Sequence, residues 1–137
     1  MAPLHPALSA IRQCRAGLWH QESFYFAQLL AKGMQAAGAS LRGRGGVRYI
    51  YYLENDQKQL VESTHTEVRA ERSFTLLEDV NCPAVLAEQC FVTNEADVAQ
   101  FGSEEGCKKT ARVYYEAICA YFGTQPQAEQ LAGFTLN

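Results

Sequence analysis

Cys82-Pro83-Ala84-Val85-Leu86-Ala87-Glu88-Gln89-Cys90-Phe91-Val92-Thr93-Asn94-Glu95-Ala96-Asp97 is the stretch from which the fold is read. Pro83 fixes its own φ and carries no N–H, which suits the first residue of a strand and not its middle. Ala84 to Ala87 are apolar without alternation, the pattern of a strand covered on both faces, as in a parallel sheet between helices. The run stops on a carboxylate, Glu88. Thr93 and Asn94 are N-cap residues for a helix opening with Glu95-Ala96-Asp97, whose acidic groups suit its positive end. The unit is therefore a buried strand, a Glu at its C-terminal edge, a turn and a capped helix. Open α/β sheets bind their ligands at that edge.

The order Pro-Ala-Val-Leu-Ala-Glu-x-x-Phe-x-Thr-Asn-x-x-Asp over residues 83–97 resembles the C-terminal signature of the zinc-dependent N-acetylmuramoyl-L-alanine amidases, cell-wall hydrolases of bacteria and their phages. Glu22 to Gly46 is similar to that family's helix and its Arg/Gly exit. Arg72-Ser73-Phe74-Thr75-Leu76-Leu77 resembles the strand before the signature, and Cys107 to Phe122 the closing helix. The resemblance covers about two thirds of the chain. It implies hydrolysis of the amide between N-acetylmuramic acid and L-alanine in peptidoglycan, with zinc as cofactor and Glu88 as the catalytic acid/base. It also implies a cell-wall or extracellular place of action, as for an autolysin or endolysin. The family's usual zinc motifs, a Gly-His-Gly turn and a Ser-x-His-x-Asn segment, do not occur before Glu22. The chain thus looks like the C-terminal half of such an enzyme. An inactive amidase domain that binds peptidoglycan or another protein is the alternative.

At 137 residues the chain fits one domain, with residues 124–137 as a loose tail. A net charge of −3 provides no electrostatic case for nucleic acid or an anionic membrane, and no apolar run approaches a membrane span. Met1-Ala2-Pro3-Leu4-His5-Pro6 lacks the basic start and apolar core of a secretory signal. The five cysteines (14, 82, 90, 107 and 119) form no Cys-x-x-Cys pair. The apolar neighbourhoods of Cys82, Cys90 and Cys119 predict buried free thiols.

Pro3 and Pro6 predict a loop, after which Ala7 to Cys14 suit two helical turns. Glu22 to Ala37 is the first long helix, with an apolar stripe through Tyr25 or Phe26, Leu29, Leu30, Gly33 and Met34. Gly38 stops it. Val47 to Thr66 reads as a hairpin around an Asn55-Asp56 turn, inserted and protruding. Its three tyrosines invite a carbohydrate-binding reading, but aromatic cross-strand pairing accounts for them without a ligand. Ser73 to Leu77 suits a second strand. Ser103 caps a final helix, Glu104 to Phe122, with Ala111, Tyr114 or Tyr115, Ile118, Cys119 and Phe122 facing inward. The expected fold is α/β: a small, mostly parallel sheet with Pro83–Ala87 at its centre, flanked by helices 22–37 and 104–122. The exposed edge of that half-sheet would be covered by residues 1–19 or by a second copy in a homodimer.

Glu88 leads the candidates for chemistry. A carboxyl at the end of a buried strand has its pKa raised by desolvation, which suits proton transfer near neutral pH. Arg42 and Arg44 lie in a basic Gly-rich loop that reads either as a solvated connector or as the place where Arg42 or Arg44 binds a carboxylate of the muropeptide stem. His5, His20 and His65 are the available nitrogen ligands for zinc, but none stands in a metal-binding pattern, so no metal ligands are assigned. Cys90, two residues from Glu88, would share its side of the strand in a cysteine-hydrolase reading, yet no histidine is placed to activate it.

Overall fold

The structure, a computed structural model, describes residues 19–63 and 71–134, with the backbone of a strand at residues 8–11. In chain order the elements are β1 (Leu8–Ile11), α1 (His20–Ala36), β2 (Arg48–Tyr52), β3 (Lys58–Glu62), α2 (Thr75–Glu78), β4 (Val85–Ala87), α3 (Glu95–Phe101), α4 (Glu104–Tyr121) and α5 (Ala128–Ala132). Among the described residues the strands form two antiparallel pairs, β1 with β4 and β2 with β3.

The mostly parallel sheet expected from the sequence is thus overturned. The apolar run at Ala84–Ala87 does mark a strand with both faces engaged. Val85 and Ala87 pack on the core beneath α1, and Ala84 and Leu86 pack on a second cluster formed by Ile50 and Leu77. Burial on both faces reports what covers a strand and not the direction of its partner. Here α1 covers one side and the cluster of Ile50 and Leu77 the other, so an antiparallel pair reads like a parallel one. Nor is β4 central, since it pairs with β1 alone among the described strands.

The hairpin is present, with Tyr49 opposite Val61 and Tyr51 opposite Gln59. Asp56, at φ 58°, takes the left-handed turn conformation that the Asn55-Asp56 pair predicts. It does not protrude, however. Tyr49 is 1% exposed in the core under α1, and Ile50 lies in the second cluster. The tyrosines face Val61, Gln59 and Lys58 across the ladder, so aromatic cross-strand pairing is not their role. Tyr49 and Tyr51 are core residues, and Tyr52 meets Phe74 edge-on.

Two further expectations give way at the segments flanking the sheet. Leu8–Ile11 is a strand and not part of a helix, because pairing with β4 outweighs a weak local helical preference. Ser73 and Phe74 do run beside β2: the Tyr52 N–H donates to the Arg72 carbonyl at 2.7 Å and the Ser73 hydroxyl to the Ile50 carbonyl at 2.5 Å. The chain then turns into α2 instead of continuing as a strand. The Glu78 carboxylate accepts the Ser73 N–H, which closes the turn, and Leu77 enters the second cluster.

The helices lie close to their expected bounds. Both long ones end in the same motif, a left-handed Gly with its two flanking N–H bonds. Gly38 and Ala39 donate to Gln35 and Met34, and Gly123 and Thr124 to Ala120 and Cys119. The inward faces differ from the expected stripes. In α1, His20, Ser23, Ala27, Leu30, Ala31 and Met34 are buried, whereas Tyr25 is exposed. In α4 the buried residues are Gly106, Thr110, Val113, Ala117 and Cys119, whereas Ile118 and Phe122 face solvent. The contact is built from small residues: a Cβ added to Gly33 would lie 2.7 Å from Val113 Cγ1. Helices that approach this closely exclude the large side chains that dominate an apolar stripe in sequence. Residues 124–134 include α5, where Gln127 donates its N–H to the Tyr115 hydroxyl at 2.9 Å. Phe134 also packs against the Tyr115 ring.

Candidate active site

Strand β4 is held to the start of α1. The buried Ser23 hydroxyl accepts the Ala84 N–H at 3.0 Å, and Trp19 donates its indole N–H to Asn81 at 3.3 Å. From there the chain runs towards the other end of α1, so Glu88 follows Ala87 immediately after the ladder. Its side chain is exposed, and the buried setting expected from the sequence is not found. What surrounds Glu88 is a tethered turn. Gln89 donates its amide Nε2–H to the Phe101 carbonyl at 2.6 Å, and the Phe91 N–H points to Asp97 Oδ2 at 3.3 Å. The Asn94 N–H donates to the Phe91 carbonyl at 3.0 Å. Asn94 caps α3 as its residue type predicts, its Oδ1 accepting the N–H groups of Ala96 at 3.0 Å and Asp97 at 3.2 Å.

Arg42 is brought to this turn. Its guanidinium carbon lies 5.6 Å from the centre of the Phe91 ring, a cation–π contact on an exposed loop. Arg44 is not. It lines a separate cleft of about 320 Å³ with Phe24, Gln28, Val47, Glu62 and Ser63. Cys90 packs with Val85 and Ala87 on the main core, away from the exposed Glu88. The strand ends at Ala87, so the alternation that would have put residues 88 and 90 on one side lapses. Cys119 is buried, as expected, but Cys82 is exposed: it sits in the polar connection before β4, where its apolar neighbours enter the sheet and it does not.

A sequence model of the N-acetylmuramoyl-L-alanine amidase family matches residues 43–120, more than half of the chain. The chain belongs to that family. The amidase match takes in the hairpin, Glu88 and most of α4. The chain is also similar to an uncharacterised protein, YqiI, of Bacillus subtilis. They are 38% identical over 68 residues, 48% of this chain and 33% of the relative. The chain thus spans about a third of that relative's length. No solved structure matches. No helix among the described residues is long and apolar enough to cross a membrane.

Amidases of this family are generally zinc-dependent. Among the described residues, no group of three His, Cys, Asp or Glu side chains converges as a metal would require. His20 is 1% exposed and stacked on Tyr49, with ring centres 5.3 Å apart. The Tyr49 hydroxyl lies against the imidazole and bonds to one of its nitrogens, Nδ1. A ring buried and stacked in this way is out of reach of an ion at the surface. It also lies by the start of β4, whereas Glu88 is at the end. His5 and His65 lie outside the described residues. The described part of this amidase chain therefore does not form a zinc site. Asp97 and Gln89 are the contributors the sequence reading passed over. The Asn94-x-x-Asp97 spacing was a signal, because a side chain at the third helical position can reach back to the preceding turn.

Proposed function

We propose that this chain carries the acid/base end of an N-acetylmuramoyl-L-alanine amidase acting on the bacterial cell wall. The bond cleaved is the amide between N-acetylmuramic acid and L-alanine of peptidoglycan. The observation that carries the reading is Glu88, exposed on a tethered turn directly after β4, inside the segment matched by the family. The Glu88 carboxylate takes a proton from the water that attacks the scissile carbonyl, then delivers it to the departing amine. Such a carboxylate contributes roughly 10²–10⁴-fold to rate. Arg42, whose guanidinium lies over the Phe91 ring of the same turn, pairs in this reading with a carboxylate of the peptide stem. Arg44 would act, if on substrate at all, from its separate cleft.

A second reading has its own observation. With no metal cluster among the described residues, the chain fits a peptidoglycan-binding module that keeps the amidase framework without the reaction. Purified sacculi separate the two. The protein, supplied with zinc and assayed for released L-alanine amino termini, should cleave them, and Glu88→Gln should lower the rate roughly 100-fold or more. A Glu88→Gln rate equal to wild type refutes the catalytic role. A wild-type protein that cosediments with sacculi but releases no amino termini establishes the binding module instead. Zinc bound per chain, measured on the same preparation, tells whether residues outside the described part complete a metal site.

A further inference from the structure

We propose that Asp97 is the positioning residue for Glu88, acting through the N–H of Phe91; this rests on the catalytic reading of Glu88. Glu88 follows β4 and has no ladder of its own to fix its direction. Its course is set by the turn to Asn94, and that turn is held at Gln89 by the Phe101 carbonyl, at the Phe91 ring by Arg42, and at the Phe91 N–H by Asp97. Of these, Asp97 is the unexpected one. It is 6% exposed, and a carboxylate taken out of water is costly unless polar partners replace its hydration.

Helix capping does not explain that burial. Asn94 already receives the N–H groups of Ala96 and Asp97, and the exposed Glu95 supplies negative charge to the same helix end without desolvation. What the buried Asp97 adds is an acceptor for Phe91, three residues past Glu88. The carboxylate thereby couples α3, whose Phe101 end packs in the main core, to the turn that aims Glu88. Small displacements of a proton-transfer group are expensive in rate: about 1 Å costs on the order of 100-fold.

Asp97→Ala and Asp97→Asn test this, because Asn keeps a carbonyl oxygen where Oδ2 accepts. In amide NMR spectra of the whole chain, Asp97→Ala should shift the Glu88 amide and speed exchange of the Phe91 amide about tenfold, leaving α4 amides unchanged. Asp97→Asn should restore both. In sacculus hydrolysis, Asp97→Ala should lower kcat 10–100-fold with KM within about twofold, and Asp97→Asn should recover most of it. Unchanged Phe91 exchange and Glu88 shift in Asp97→Ala overturn the proposal, whatever the hydrolysis. So does an Asp97→Asn protein as disturbed as Asp97→Ala. The catalytic reading fails by a different result, a Glu88→Gln protein that hydrolyses at the wild-type rate.

Discussion

Replacing Gly106 by alanine should destabilise the protein by about 2 kcal/mol, through a clash that no side-chain rotation relieves. Gly106 is the third residue of α4, where the chain turns sharply out of α3. A Cβ there would lie 2.5 Å from both the Gln100 carbonyl oxygen and Phe101 Cα, and 2.7 Å from the Phe101 carbonyl carbon. All three are backbone atoms, and Phe101 is itself fully buried. Overpacking costs typically 1–3 kcal/mol, and a rigid neighbour places this case at about 3. Alanine regains up to about 1 kcal/mol of helix propensity over glycine, which leaves the net figure of about 2. For a domain of this size each kcal/mol moves Tm by roughly 3–5 °C, so the expected fall is roughly 6–10 °C. Gly45→Ala is the control. Nothing lies within 4 Å of its added Cβ and its φ is not positive, so it should be neutral or stabilising by a few tenths of a kcal/mol, about 0.4. Thermal melts followed by circular dichroism, with urea titrations to confirm an unchanged m-value, measure both. Gly106→Ala within about 0.5 kcal/mol of wild type would refute the reasoning, as would an equal loss in Gly45→Ala.

Ser23→Ala should cost about 1–3 kcal/mol in urea titrations, because it leaves the Ala84 N–H without its 3.0 Å acceptor where β4 meets α1; a Ser23→Ala protein as stable as wild type would show that this bond does not hold the strand. Burial raises the pKa of Tyr114, and burial together with the Glu22 carboxylate and Cys82 raises that of Tyr121, above the ordinary 10.0. The unfolded chain then loses these protons first. Their contribution to stability is complete below about pH 10 and falls as pH rises through the folded values. Absorbance titration should find two phenols ionising late, and Tyr114→Phe should lessen the alkaline loss of stability; a Tyr114→Phe protein with an unaltered alkaline profile counts against that assignment.

Much of the local structure was legible because it depends on neighbours in sequence. Asn94 and Ser103 cap their helices since a short side-chain oxygen reaches N–H groups two or three residues on. Gly38 and Gly123 end theirs because the left-handed conformation costs glycine little. Asn55-Asp56 turns the hairpin for a related reason. The family resemblance at residues 83–97 held as well, since a signature is itself a sequence property. The inward faces of α1 and α4 were less legible. Hydrophobic periodicity finds where large apolar groups recur, whereas these helices approach at Gly33 and Val113, and α4 buries Gly106, Thr110 and Ala117.

From the sequence alone came the long helices, the hairpin, the caps of α3 and α4, the kinship with the amidases and the choice of Glu88. Only the tertiary structure decided that β4 pairs antiparallel with β1, that the hairpin belongs to the core, and that residues 75–78 coil into a helix. It also decided that Glu88 stands in solvent on a turn held by Asp97 and Arg42, with His20 locked against Tyr49 near the other end of β4. Caps and turns are settled within a few residues by hydrogen bonds of short reach. Strand direction, burial of a carboxylate and convergence of ligands depend on groups tens of residues apart, whose meeting is determined by how the layers pack.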